Sequence, residues 1–368
     1  MQFQIARAEL QRQLQHVASA VPRGTPPMPV LANLLAEVRA GQLHLTGSDT
    51  EVTMHGVCGL MDSATDRAIT IPAKKLLDIV RALPNNLDAI EVRLVERDCL
   101  QIRAGTGRYT LATLPATEYP ERPLVGVATR LSLSDALLSS LIHAVGYAVA
   151  TADQRTYLNG MLIHVEGSTI TCVGTDGLRM AVARAALPRD VGAAKQVILA
   201  RRGMSAMLTM LDGKDGSVDL AIGARHVSLT KGEQCMVSGL IEGKYPDFAR
   251  VLPTRMKHEV QLDRRVLLDA VKRATIMGSD VKDAVVFDFS GDILRLSASA
   301  KDKGDGSEEL FVPDLRMTMR LGLNARYVTD ALAALVEDTI FLRVNSPSES
   351  VVLSNGDGND HVIMPMRL

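Results

Sequence analysis

Apolar positions along the chain state one pattern three times, at a spacing of roughly 125 residues. A short alternating run, Phe3 and Ile5, precedes apolar residues at helical spacing, Leu10, Leu14 and Val17. The order returns as Leu131, Leu133, Leu138, Ile142 and Val145, and again as Val260, Leu262, Leu267, Val271 and Ala274, with every slot apolar. A second landmark follows in each copy: Ile71-Pro72-Ala73-Lys74 with Val80 and Leu83, Ile198-Leu199-Ala200-Arg201 with Met207 and Met210, and Leu323-Asn324-Ala325-Arg326 with Leu332 and Leu335. A third is weaker, since Leu43, Leu45, Gly47 and Asp49 return as Ile170, Cys172, Gly174 and Asp176 but only faintly in 293–299. The period is too long for a solenoid unit and matches one ordinary domain.

Within the first copy the periodicities predict a strand at 3–5, a helix over 7–18, and strands at 34–38 and 43–46 joined by a hairpin turn at Ala40-Gly41. A second helix over 73–83 stops at Pro84-Asn85-Asn86, and strands at 90–95, 100–104 and 108–113 end the copy. Each domain therefore reads as two related β-α-β-β-β halves, an α+β class. The pattern lapses into Pro and Gly at 120–128 and 253–257. Three domains are expected, at 1–125, 126–254 and 255–368, with linkers short enough to hold fixed angles.

Composition adds exclusions. In 368 residues, 46% are hydrophobic, only 3% are aromatic and none is Trp, so the cores must be built from Leu, Val, Ile, Ala and Met. No apolar stretch approaches the roughly 20 residues of a membrane helix, and MQFQIARAEL lacks a signal peptide's apolar segment, so a cytoplasmic protein with no membrane partner is expected. Cys58, Cys99, Cys172 and Cys235 lie singly, as reduced small hydrophobes on strands. Asp- and Gly-rich stretches at 301–309 and 355–360 lack EF-hand spacing and read as solvated hairpin turns. Phosphate-loop, dinucleotide, zinc-protease and serine-hydrolase motifs are missing, and the eight histidines stand one at a time. Asp176 in Thr175-Asp176-Gly177 could be imagined as catalytic, but a tight turn explains it better. No catalytic residue, metal or cofactor is expected.

The formal net charge is -1, yet charge is segregated. The six predicted helices carry twelve basic residues (Arg7, Arg12, Lys74, Lys75, Arg81, Arg201, Arg202, Arg264, Arg265, Lys272, Arg273 and Arg326) against six acidic ones (Glu9, Asp78, Asp135, Asp263, Asp269 and Asp330). Their net is thus +6 and the remainder's -7. A solvated face is the plain explanation of any one charge run. Recurrence on equivalent elements of three repeats favours a polyanion, and the scarcity of aromatics favours duplex backbone over exposed bases.

Several motifs then point one way. Val362-Ile363-Met364-Pro365-Met366-Arg367-Leu368, with Tyr157-Leu158-Asn159-Gly160, Thr175-Asp176-Gly177-Leu178-Arg179-Met180, Tyr245-Pro246-Asp247-Phe248 and Arg250-Val251-Leu252-Pro253, closely resembles the bacterial DNA polymerase III beta subunit family, the sliding clamps. The similarity runs in order from Phe3 to Leu368. It implies three tandem clamp domains, and a head-to-tail homodimer closed into a six-domain ring around duplex DNA, with helices facing the hole. Size agrees: domains of roughly 35 Å diameter leave a hole of about 35 Å when six form a ring, and almost none when three do. A duplex roughly 20 Å across fits the larger hole. The implied function is a non-catalytic processivity factor that tethers the DNA polymerase III alpha subunit, the clamp-loader delta subunit and other clamp-motif proteins.

The resemblance also implies sites. A pocket for a short apolar peptide would use Leu158, Thr175, Gly177, Leu178, Arg179 and Met180, then Pro246, Arg250 and Val251. From the last repeat it would take Asn324 and Tyr327, and finally Val362, Ile363, Met364, Pro365, Met366, Arg367 and Leu368. Arg23, Lys74, Lys75, Tyr157, Arg201 and Arg202 are the matches for DNA contact. Tyr109, Leu111, Ile276 and Met277 match the subunit seam, with ordinary core packing as the competing explanation. The chain departs from the pattern at Leu178, where the best-known members carry His, and at Lys282, where an aromatic lines part of the pocket; peptide preference is left open. Thr156 replaces one of two adjacent tyrosines, and the loop at Arg23 is one residue longer, which suits a divergent clamp or a second clamp of its host. The rivals are a peptide-binding adaptor that does not close on DNA, and a hydrolase or transferase using Asp176.

Overall fold

The computed structural model describes residues 2–367 apart from 63–64, 96–98, 193, 254, 278–283, 301–303, 314, 316 and 357; Lys282 and Leu368 therefore lie outside the described residues. Six α-helices stand where the periodicity predicts them: α1 (Arg7–Val17), α2 (Ala73–Ala82), α3 (Asp135–Gly146), α4 (Arg201–Met210), α5 (Arg264–Ala274) and α6 (Ala325–Ala334). Each follows directly on a strand and precedes three more, so β-α-β-β-β recurs six times along the chain. The repeated apolar slots face inward: Leu10, Leu14 and Val17 of α1, Leu138, Ile142 and Val145 of α3, and Leu267, Val271 and Ala274 of α5 are all buried. Burying each of the large side chains contributes about 1.5–3 kcal/mol. α2 ends one residue before the predicted stop, because Leu83 precedes Pro84 and is held extended. No described helix is long and apolar enough to cross a membrane.

The chain divides into two compact units, Met1–Ser139 with Arg202–Leu240 and Ser140–Arg201 with Ile241–Leu368. The first unit holds a four-stranded antiparallel sheet in the order Gln2–Ala6, Ala89–Val95, Cys99–Ala104, Gly107–Ala112. It also holds a nine-stranded sheet in which the second repeat joins the first: Gln234–Gly239 pairs with Val52–Gly59, Cys235 opposite His55. The second unit repeats this plan. Its four-stranded sheet runs Gly304–Phe311, Ile293–Ala300, Ala284–Ser290, Met319–Asn324. Its eight-stranded sheet joins the second repeat to the third where Arg179–Ala186 pairs with Asp360–Ile363, Met180 opposite Val362. The segment 304–309, expected in a turn, is strand, because Glu308 opposite Leu296 continues a regular ladder. The loop 355–360 does connect paired strands as expected, apart from Asp357, which is outside the described residues.

The weakest of the three sequence landmarks has a steric cause. A Cβ on Gly47 would lie 2.2 Å from the Val17 carbonyl oxygen, and one on Gly174 would lie 2.4 Å from that of Val145. In both repeats the end of the first helix touches the strand backbone at that point, so only Gly fits.

Buried polar groups are mostly satisfied. Asp135, fully buried, accepts from Lys231 Nζ at 2.6 Å and from the Gly213 amide at 2.8 Å. None of the four cysteines is in a disulfide, and burial pushes the thiols of Cys58 and Cys172 up to about 12. His361 is fully buried with Nδ1 2.7 Å from the Tyr147 hydroxyl, while its Nε2 has no hydrogen-bond partner among the described residues. Burial lowers its pKa to about 4, and His55 is lowered to about 4 in the first unit, also chiefly by burial.

Replacing Gly174 or Gly47 by Ala should cost about 1–3 kcal/mol, the range for forced overpacking, and lower the thermal midpoint; an unchanged midpoint would show that the helix end can move aside. The unfolded chain binds protons to these histidines below its ordinary pKa of 6.5, whereas the folded chain resists until about 4. Stability is therefore full above pH 6.5 and falls as pH drops toward 4, by on the order of 3 kcal/mol for His361. Urea midpoints at pH 7 and pH 5 test this, and His361→Gln should reduce the difference between them.

Candidate functional site

The strand Arg179–Ala186 is entered through a turn held together by its own side chains and amides. Asp176 Oδ1 accepts from the amides of Leu178 (2.9 Å) and Arg179 (3.0 Å), and the Thr175 hydroxyl donates to the Arg179 carbonyl at 2.6 Å. Gly177 sits at φ 90°, in the left-handed region that favours glycine. Asp176 is thereby a turn residue and ion-pair partner. The tight turn, not catalysis, accounts for it.

Arg179 is held from four sides. Its Nε donates to Asp176 Oδ2 (3.0 Å), Nη1 to Asp330 Oδ2 (2.6 Å) and Nη2 to the Tyr147 carbonyl (2.9 Å), while its guanidinium carbon lies 4.4 Å from the Tyr327 ring centre. Burial opposes the charge, but the two carboxylates outweigh it and hold the pKa above its ordinary value. Because α6 supplies Asp330 and Tyr327, one side chain ties the turn of the second repeat to a helix of the third.

Beside this network opens an apolar cavity of about 210 Å³. Of the predicted pocket residues, Leu158, Thr175, Gly177, Leu178, Arg179 and Met180 line it, as do Pro246, Val251, Val362 and Met364. Leu178 and Met364 form exposed parts of the lining, 56% and 43% accessible, with the Met364 amide donating to the Leu178 carbonyl at 2.9 Å. Other predicted residues stand nearby without lining the cavity. Ile363 is buried in the core, Asn324 caps α6 by accepting from the Tyr327 amide, and Tyr327 lies under Arg179. Pro365 and Met366 are half-buried, Met366 donating to the Gly322 carbonyl; Arg367 and Arg250 are exposed, Arg250 paired with Asp247. Arg155, Tyr245 and Phe248 line the cavity and escape the sequence reading, although the last two belong to the Tyr245–Phe248 motif that signals it.

The basic candidates separate by environment. Lys74 and Lys75 are exposed on α2 and make no ion pair among the described residues; Arg23 is exposed in its loop. Arg202 is half-buried, donating to Asp49 at 2.7 Å and to the Ser19 carbonyl at 2.8 Å, so its charge is largely answered. Arg201 is exposed, donates to the Val149 carbonyl, and lines with Arg326 a polar cavity of about 460 Å³. Tyr157 lines another cavity, beside the apolar one. The helical charge count also shifts, since Asp263 caps α5 from outside it and Arg7 is buried against the Leu83 carbonyl. Of the seam candidates, Ile276 is 74% exposed and Met277 37%, Tyr109 is half-buried, and Leu111 packs into its own sheet. Among the described residues no three His, Cys, Asp or Glu side chains come together as metal ligands.

Comparison with known proteins fits this arrangement along the entire chain. Three family models of the DNA polymerase III beta subunit match in order: the N-terminal domain over 1–123, the central domain over 132–247 and the C-terminal domain over 249–367. The chain is 35% identical to the beta sliding clamp of Pseudomonas aeruginosa and 34% to that of Pseudomonas putida, with 100% of both chains covered each time. The crystal structure of the DNA polymerase III subunit beta from Pseudomonas aeruginosa matches with a TM-score of 0.96 at 35% identity, again over 100% of both chains. With three tandem clamp domains and a full-length match to both sequences and structure, this chain belongs to the DNA polymerase III beta subunit family, the beta sliding clamps.

Proposed function

We propose that two copies of this chain close head to tail around duplex DNA and hold polymerases there through the apolar pocket. The protein is a DNA sliding clamp and processivity factor, a non-catalytic subunit of the DNA polymerase III holoenzyme. The observation that carries this reading is the match of all three clamp domains in order along the chain. Domain limits at 1–125, 126–254 and 255–368 and a cytoplasmic location go with it.

Ring closure is supported by two sheet edges. Gly107–Ala112 and Gly304–Phe311 each have a strand partner on one side only, whereas the half-sheets at the repeat junctions are fused into nine and eight strands. An open edge is a template for another strand. Pairing these two edges between copies would make one further eight-stranded sheet, and it would cover Phe311 (76% exposed) and Ile276. Arg108 on one strand and Asp305 on the other are of opposite charge, while Glu308 and Glu309 are already paired with Arg273 and Arg295. Tyr109 and Leu111 would lie on one side of this seam, with Ile276 and Met277 on the other.

Inside such a ring tethering is topological, so DNA contacts need only be weak. Lys74, Lys75 and Arg201, with Arg23, Arg202 and Tyr157, would meet phosphates transiently or through water and leave the ring free to slide. The pocket supplies the specific contact. Leu178, Met180, Val251, Val362 and Met364 offer adaptable apolar surface for two adjacent anchors of a partner peptide, such as those of the polymerase alpha subunit and the clamp-loader delta subunit. Arg155, already paired with Asp153 through Nε and Nη2, borders the cavity as its nearest exposed cation. In this reading Asn324, Tyr327, Pro365, Met366 and Arg367 border the same groove, and Leu368 lies outside the described residues.

Met364→Glu, at an exposed position, should weaken binding of a polymerase tail peptide at least about tenfold, roughly 1.4 kcal/mol, in fluorescence polarisation; unchanged affinity would remove the pocket from this role. Ile276→Asp should shift sedimentation from dimer to monomer and abolish retention on nicked circular DNA, whereas the native protein should stay on the circle and run off once it is linearised. A native protein that stays on linear DNA would be a conventional binder rather than a ring.

A further inference from the structure

Tyr245, Pro246 and Phe248 form a wall common to two cavities, the apolar pocket and a larger one of about 520 Å³. The wall is fixed: Tyr245 is buried and its hydroxyl donates to the Val173 carbonyl at 3.2 Å, while Phe248 packs edge-on to His164 with ring centres 6.4 Å apart. The floor of the larger cavity comes from two paired strands, with buried Leu162 on Gly160–Glu166 and exposed Gln196 on Lys195–Ala200. Half-buried Tyr157 packs against the same apolar cluster as Leu162 and Phe248. On the rim, Arg250 and Asp247 answer each other at 3.0 Å, which leaves exposed Lys244 as a cation with no ion pair among the described residues.

We propose that this second cavity receives the continuation of the partner peptide seated in the apolar pocket: a flanking stretch with one aromatic or aliphatic side chain for the Tyr157–Leu162–Phe248 surface and a carboxylate for Lys244. The proposal rests on the reading of the apolar pocket as the peptide site. Two observations select this occupant. The cavities share Tyr245, Pro246 and Phe248, so an extended chain advancing about 3.3 Å per residue passes from one to the other within a few residues. Among the described residues the one rim charge without an ion pair is that of Lys244, and being positive it selects acid. Because the anchor is already bound, the second contact forms at high effective concentration and strengthens binding without a strong site of its own.

The test uses the full-length protein and labelled synthetic peptides in fluorescence polarisation. The reference is a peptide of about six residues with two adjacent apolar side chains. It is compared with versions extended at either end by Gly-Phe-Glu-Glu or by Gly-Phe-Lys-Lys. An acidic extension at one end should bind about tenfold tighter than the reference, and the basic extension should gain less. Lys244→Glu should reverse that preference, and Gln196→Trp, which fills the cavity from an exposed strand position, should remove the gain from both, each leaving the reference peptide within about twofold of its native affinity. Equal binding of extended and reference peptides, or a gain that survives both substitutions, overturns the second site while leaving the pocket intact. Failure of the reference peptide to bind overturns the pocket reading and this proposal with it.

Discussion

Backbone hydrogen bonds between Arg179–Ala186 and Asp360–Ile363 join strands from different repeats into one sheet, and the apolar pocket exists because of that pairing. The register sets Met180 opposite Val362 and brings the Met364 amide to the Leu178 carbonyl, so side chains from distant parts of the chain line a single cavity. A slip of one residue would turn each of these side chains to the other face of the sheet. The Arg179 guanidinium secures the same junction from the side by bonding Asp176 in its own turn and Asp330 on α6. The equivalent junction in the first unit, Gln234–Gly239 with Val52–Gly59, places Cys235 opposite His55, and there the arginine comes from the other repeat: Arg202 on α4 bonds Asp49 in the turn before Val52 and the Ser19 carbonyl. One backbone device therefore serves at two junctions, and side chains make one of them a candidate binding site.

The repeats also show how equivalent positions acquire different work. Lys74, Arg201 and Arg326 each stand at the start of their repeat's second helix. Lys74 is free in solvent, Arg201 bonds the Val149 carbonyl, and Arg326 shares a polar cavity with Arg201. Charge segregation on the helices is real, but part of it is spent internally, since Arg7 and Arg202 answer backbone carbonyls or a carboxylate. The exposed remainder includes Lys74, Lys75 and Arg201. In the proposed ring so small a set of free cations would suit sliding, because strong phosphate contacts would act as a brake.

Fold and family were legible in the chain because they rest on local periodicity. Apolar spacing marked six helices, and Gly47 and Gly174 recurred because a helix end touches the strand backbone in both repeats. The site was legible in part. Leu158, Thr175, Gly177, Leu178, Arg179, Met180, Pro246, Val251, Val362 and Met364 line one cavity, whereas Arg155 and the second cavity beyond Phe248 carried no sequence signal. The segment 304–309 misled because Asp and Gly favour turns locally, yet ladder pairing with Ile293–Ala300 overrides that preference.

By itself, then, the sequence determined the number of repeats, the order of elements within them, the apolar faces and the family, all properties of residues near one another along the chain. Tertiary structure decided which strands join across repeats, which arginines stay free and which are consumed by carbonyls and carboxylates, and where the cavities open. Those outcomes depend on strand register and on the meeting of side chains far apart in sequence, and periodicity within a single segment carries no information about either.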